Sequence, residues 1–201
     1  EILALLRQDP MIAQQELADR LGISRSALAS HISSLMRQGY VQGRGYVLRE
    51  GPYAVVIGGA NMDICGCSHD NLRIGDSNPG RVRTSAGGVG RNIAENLARL
   101  GTDTRLLTAG GNDQYGHHLL EVSQRAGVDV RQVLVLDGQA TSCYLSLHDG
   151  SGEMSCAVND MAIIDQLTPA RLTPLTGLLG AARLWVLDTS LATHTLVLLF
   201  E

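Results

Sequence analysis

No lysine occurs in this chain of 201 residues, and all 16 basic side chains are arginine. A catalytic lysine is therefore excluded within the sequence, and so is the Gly-Lys-Ser/Thr of a P-loop. Aromatic residues are scarce, at 3%. The formal charge is −4, so no global basic field draws nucleic acid to the molecule. The four cysteines, Cys65, Cys67, Cys143 and Cys156, have the spacing of neither a zinc knuckle nor a Cys-x-x-Cys redox pair. They read as free thiols of a reducing compartment, which points to the cytoplasm. No run reaches the roughly 18 apolar residues that cross a bilayer, and no signal peptide is visible, so no membrane partner is expected. No metal-ligand set is written in the chain.

What is present is apolar material, 44% of the chain, together with 23 glycines. That mixture suits an α/β protein with many tight turns. The first 50 residues differ in texture from the rest. A helical pattern at residues 1–7 begins abruptly, so a longer N-terminus is expected, and Asp9-Pro10 ends it. A second helix is expected over residues 14–21, stopped by Gly22. Ser24 reads as the N-cap of a third, over residues 25–38, with Leu28, Ile32, Leu35 and Met36 on its apolar side. Gly39 ends that helix, and VQGRGYVL at 41–48 reads as two short strands about a turn.

The stretch QQELADRLGISRSALASHISSLMRQGYV closely resembles the winged helix-turn-helix of bacterial regulators. Leu17, Leu21, Ile23, Leu28 and Ile32 bury one face and lock two helices across the Gly22 turn. The opposite face of the third helix offers Arg25, Ser26 and Ser30 to base edges and phosphates, and Arg44 at the wing tip is placed to touch a phosphate or a minor groove. The electrostatic footprint is weak, since residues 1–50 hold six arginines against five acids.

Gly51-Pro52 marks a linker between two expected domains, residues 1–50 and 51–201. YAVVI at 53–57 is a continuous apolar strand of the kind buried in a parallel sheet. Strands and helices then alternate: a helix at 90–100, a strand at 104–108, a helix at 114–126, strands at 133–136, 141–147 and 153–158, a strand at 184–187 and a last helix from about 192. The strands at 141–147 and 153–158 flank His148-Asp149-Gly150-Ser151-Gly152 and read as a hairpin. The fold class is α/β.

TSAGGVGRNIAENLARLG, residues 84–101, fails the dinucleotide template because Ile93 stands where a third glycine is needed and no apolar strand directly precedes the loop. Glycines 87, 88 and 90 still let main chain approach a ligand closely. The amides opening the helix read as unpaired donors, and Asn92 adds a side-chain amide. Donors at close range without a cation suit sugar hydroxyls. Gly58-Gly59-Ala60-Asn61-Met62-Asp63 follows the first strand directly, where ligands of α/β sheets sit. Asn61 and Asp63, two apart on one side of an extended segment, suit the vicinal hydroxyls of a ribose.

GGANMDICG, SNPGRVRTSAGGVGRNIAENLARLG and GGNDQYG together resemble the PfkB/ribokinase family of carbohydrate and nucleoside kinases. SHDNL, DSNPG, TSCYLSL, GEM and NDM narrow the resemblance to its bacterial pseudouridine kinase subgroup. The resemblance covers residues 53–201 and implies the N-terminal half of a ribokinase-like α/β domain with a β lid, preceded here by the winged helix. It implies ATP-dependent phosphorylation of the 5′-hydroxyl of a nucleoside or sugar, and a homodimer. It also implies that Asn61 and Asp63 bind the sugar, that Gly87 and Gly88 lie beneath it and that Asn92 helps hold it. Asn159 and Asp188 match further positions near the sugar, and residues 65–84 would supply the lid, which excludes water.

The family's Gly-Ala-Gly-Asp, whose aspartate is the general base, and its magnesium-linked Asn-x-x-Glu are not in this sequence. The ATP and Mg2+ sites are therefore expected in a C-terminal half that the chain does not contain, and the piece alone is expected to be inactive. No catalytic residue is assigned; Asp113 and Asp160 are not substitutes, as neither is expected at a glycine-rich helix start. A second reading is a nucleoside- or sugar-responsive transcriptional regulator that reuses a kinase fold as its sensor.

Overall fold

A computed structural model describes residues 1–43 and 51–200. Two compact units are present: Glu1–Pro52 with Ala170–Arg183, and Tyr53–Pro169 with the chain from Leu184 onward.

The first unit is helical. Helices α1 (Ile2–Gln8), α2 (Gln14–Leu21) and α3 (Arg25–Arg37) follow the apolar spacing of the sequence. Gly22 adopts φ 65° and stops α2, a left-handed turn that glycine enters without a Cβ penalty. Ser24 caps α3 by accepting the Ala27 N–H at 3.1 Å. Leu6, Ile12, Leu17, Ala18, Leu28, Ile32 and Val41 form the core, with Leu21, Ile23 and Leu35 packed at its rim. Met36, expected on the apolar side, is instead 44% exposed: at position 36 the helix has already turned past the core. Arg44 and most of the expected strand pair at 41–48 lie outside the described residues.

Two short helices from later in the chain, α6 (Pro169–Leu172) and α7 (Thr176–Gly180), make up much of this unit's second segment, for which the sequence predicts no elements. Gly39, just beyond α3, meets α7 so closely that a Cβ on it would stand 2.6 Å from the Gly177 carbonyl oxygen. Glycine at both positions lets main chain lie on main chain.

The second unit is α/β. Its body is a parallel sheet in the order β10 (Leu184–Leu187), β1 (Ala54–Ile57), β4 (Thr104–Leu107), β6 (Val128–Asp129). All four residues of β1 and of β4 are buried; β1 is continuously apolar, as a central parallel strand requires, while β4 buries Thr104 and Arg105 beside its two leucines. Helix α4 (Val89–Arg99) packs Ala94 against Val56, Leu106 and Val128. A parallel pair, β5 (Ala109–Gly111) and β7 (Leu134–Leu136), and helix α5 (Gln114–Arg125) continue the body, and α8 (Thr193–Phe200) follows β10.

A second sheet carries the order β3 (Gly80–Gly87), β2 (Asn61–Ser68), β8 (Cys143–His148), β9 (Met154–Asp160). The hairpin of β8 and β9 is as the sequence suggests. Its parallel pairing with β2, Asp63 opposite Tyr144, is new, and it makes the lid four strands wide rather than the single segment expected.

Candidate substrate site

Three parallel strands end at the same place. Gly58 and Gly59 follow β1, Thr108 follows β4, and Asp188 follows β10. Ligands of α/β sheets bind beyond such carboxyl ends. From there β2 runs outward, and its pairing with β3 sets Asn61 opposite Gly87 and Asp63 opposite Ser85. The two segments singled out in the sequence are thus strand partners.

Side chains alternate along β2. Asn61, Asp63, Cys65 and Cys67 share one face, while Met62 on the other packs with Ala86 and Leu119 of α5. The Asn61 amide donates to Asp63 Oδ1 at 2.6 Å, which fixes the carboxylate and leaves Oδ2 for another donor. A Cβ on Gly87 would approach Asp63 Cγ to 2.7 Å, so the carboxylate lies flat over bare main chain. Gly88 has φ 95°, and a Cβ there would stand 2.6 Å from Ala60 Cα. The two glycine loops interlock.

Asp188 joins them. It is 8% exposed. Its Oδ2 accepts from the Gly59 N–H at 3.0 Å and from the Gly90 N–H at 3.2 Å, and its Oδ1 accepts from the Ser190 N–H at 3.0 Å. The Arg91 N–H donates to the Gly59 carbonyl at 3.0 Å. The expectation of free amides at the start of α4 therefore fails at Gly90 and Arg91: those donors are spent on loop closure.

Arg91 was not foreseen. It is 6% exposed and pairs with Glu95. It also donates to the Ala86 carbonyl at 3.4 Å, to Asn92 Oδ1 at 3.0 Å and to Ser123 Oγ at 3.3 Å. Asn92 is exposed, and with its oxygen turned to Arg91 its amide nitrogen is the end left for a ligand. Asn159, exposed on β9, lies opposite Tyr144, which lies opposite Asp63; Ser85, Asp63, Tyr144 and Asn159 thus form one row across the lid. The row was hidden in the sequence, although RVRTSAG carries the alternation that builds its β3 end.

Asp113 caps α5 one residue beyond the glycine pair of Gly110-Gly111-Asn112, so it does stand at a glycine-rich helix start, contrary to expectation. Its oxygens are nonetheless occupied by the Gly116 N–H, the Thr141 N–H and the Thr141 hydroxyl. Burial pushes its carboxyl up, and these hydrogen bonds together outweigh that and hold it below the usual range. A carboxylate so tied is a poor proton acceptor. Asp160 ends β9.

Among the described residues no group of three His, Cys, Asp or Glu side chains is placed to hold a metal ion. The side chains above do not fit a magnesium–nucleotide site. Asp63 offers a carboxylate, Asn61, Asn92 and Asn159 offer amides, and Gly87 and Gly88 offer bare main chain. In the helical unit, Arg25, Ser26 and Ser30 are exposed on α3, with the Ser26 hydroxyl 3.0 Å from that of Ser24. No described helix is long and apolar enough to cross a membrane.

Residues 52–198 match the pfkB family carbohydrate kinase profile, and residues 1–42 match a winged helix-turn-helix DNA-binding profile. The chain is 46% identical over 200 residues to the uncharacterized sugar kinase YeiI of Escherichia coli, covering 100% of itself and 55% of that protein. It is 43% identical over 154 residues to the pseudouridine kinase of Escherichia coli, covering 77% of itself and 49% of that protein. A solved carbohydrate kinase from Agrobacterium tumefaciens superposes with a TM-score of 0.66 at 30% identity, over 74% of this chain and 49% of that one. The chain spans about half the length of the curated relatives it matches.

Proposed function

This chain belongs to the pfkB family of carbohydrate kinases, and from that premise we propose that it is the acceptor-binding part of a kinase that phosphorylates the 5′-hydroxyl of a nucleoside or sugar, pseudouridine foremost. The helical unit is the part that binds DNA, through Arg25, Ser26, Ser30 and Arg44. The family's phosphoryl donor is ATP with a divalent metal. No residue described here is assigned to either, and the reading concerns how the acceptor is held. A homodimer and a cytoplasmic setting belong to the same proposal.

The observation that carries it is the register of Asn61 against Gly87. It gathers a carboxylate, an amide and bare main chain at the ends of parallel strands. Asp63 accepts from two adjacent hydroxyls, one at Oδ2 and one at the lone pair of Oδ1 that the Asn61 amide leaves over. Asn61 orients it, and Gly87 with Gly88 leaves room for the sugar ring beside the main chain. Asn92 supplies a donor from the first turn of α4, and Asn159 closes the row from β9. Asp188 takes a positioning role: its carboxylate holds the two glycine loops at their spacing.

The test is thermal shift and calorimetry of this chain with pseudouridine, uridine and ribose. Ligand that binds only the folded chain raises the melting temperature. The expected result is a rise with ribonucleosides that Asp63→Ala loses. An equal rise in the variant overturns the assignment of the pocket.

One observation favours the second reading, a ligand-responsive regulator. Residues Ala170–Arg183 belong to the helical unit, and the strand that leaves them, β10, is followed directly by Asp188. Band-shift assays with and without nucleoside test this, and an unchanged DNA affinity rejects it.

A further inference from the structure

Resting on the reading that Asp63 grips a ribose diol, we infer that Arg83 forms the base subsite and selects nucleosides whose base presents carbonyl oxygens. In β3 the alternation of side chains puts Arg81, Arg83 and Ser85 on the face of Asp63, and Val82, Thr84 and Ala86 on the other. Arg83 pairs with Cys65, one side-chain row beyond the pairing of Ser85 with Asp63. That row lies about 7 Å farther out along the strand, comparable with the length of a base attached to the sugar.

The direction follows from the body. Gly58 and Asp188, at the strand ends, mark the side on which the acceptor hydroxyl faces the chemistry. In a ribofuranose C1 and C4 flank the ring oxygen, so the base on C1 and the hydroxymethyl on C4 leave from opposite ends of the ring. A sugar whose diol is held at Asp63 and whose 5′-hydroxyl faces the body therefore sends its base outward, over Cys65.

Two walls flank that position. Arg83 stands on one side, exposed, and no ion pair among the described residues involves it. On the other side is Ser146, opposite Cys65 on β8, 6% exposed and 3.1 Å from His148 Nε2. Hydrogen bonding with Cys65 holds the Cys67 thiol above its usual range, and the Arg83 charge works against that rise. A guanidinium donates and never accepts. It matches a carbonyl oxygen, and an exocyclic amine in that place sets donor against donor. Arginines on an edge strand such as β3 also block edge-to-edge pairing, but that task is served from either face. Both β3 arginines are on the Asp63 face and none is on the other.

The experiment is calorimetry of this chain with ribose, uridine, cytidine, inosine and adenosine. Uridine and cytidine differ in an exocyclic oxygen or amine and in the adjoining ring nitrogen, a donor in the first and an acceptor in the second, as inosine and adenosine do. Wild-type protein is expected to prefer uridine over cytidine and inosine over adenosine, by about tenfold, the scale of one charge-assisted hydrogen bond. Arg83→Met is expected to abolish both preferences and leave ribose affinity unchanged. Arg83→Lys, which keeps the charge and loses the fork, is expected to fall between, and Arg81→Met, one row farther out, to preserve both preferences. Preferences that survive Arg83→Met, or vanish equally in Arg81→Met, overturn the base subsite while ribose binding still upholds the sugar site. Absence of ribose and nucleoside binding in wild-type protein overturns both.

Discussion

Gly87 and Asp63 compete for the same space. A Cβ on Gly87 would come within 2.7 Å of the Asp63 carboxyl carbon, well inside contact distance. Gly87→Ala is therefore expected to push the carboxylate off the main chain and to remove most nucleoside-induced stabilisation. Gly180→Ala, where nothing lies within 4 Å, serves as the control and is expected to bind as wild type. Thermal shift of the two variants side by side checks this, and equal ligand responses would refute it.

Asp188 receives three backbone N–H groups. Asp188→Asn keeps the shape but turns an amide nitrogen toward at least one of those donors. The expected cost is about 1–3 kcal/mol, the penalty of a buried donor left unsatisfied, with nucleoside affinity weakened as the loops part. Chemical denaturation measures the first effect and calorimetry the second. Unaltered stability would mean the loops are held by other contacts.

The carboxyl of Asp113 gives a prediction in pH. Burial raises its pKa, but hydrogen bonds from Gly116 and Thr141 outweigh this and leave it below the ordinary 3.8. A group depressed on folding stabilises the native state above its unfolded value, and that contribution fades as pH falls through the folded one. Glu95 and Asp129 are also held low, so the whole chain is expected to weaken in acid. Comparison with Asp113→Asn isolates one group. The stability gap between wild type and variant is expected to be full near neutrality and to shrink below about pH 4. A gap that does not change with pH would rule out a titrating origin.

In the helical unit, Arg25 opens α3 and is exposed. If it meets a phosphate, Arg25→Ala weakens binding to DNA upstream of its own operon and lowers the slope of log affinity against log salt by about one. Band shifts across a salt series measure this. A lower affinity with the slope unaltered would point to base contact instead.

Much of this was legible because local pattern and local structure agree. The apolar run before Gly58 is β1, the spacing of Leu28 and Ile32 is the buried side of α3, and Ser24 caps that helix as read. Asn61 and Asp63 were legible from their alternation in an extended stretch. What was not legible depends on pairing across distance. Nothing local in Tyr144 says that it will lie beside Asp63, since the partner strand is set by the closing of the lid. The amides at Gly90 and Arg91 were misread for the same reason: their acceptors, Asp188 and the Gly59 carbonyl, lie far along the chain. Residues 170–183 contain short helices with too few turns to display a period, and their attachment to the helical unit includes the fit of Gly177 to Gly39, which no hydropathy pattern records.

That fit bears on how such a protein is cut and joined. A piece ending at Pro52 would keep α3 but strip the wall from its last turn, leaving the carbonyls near Arg37 facing water. The regulator-like end is thus not a cassette that recombination can lift out in one stroke.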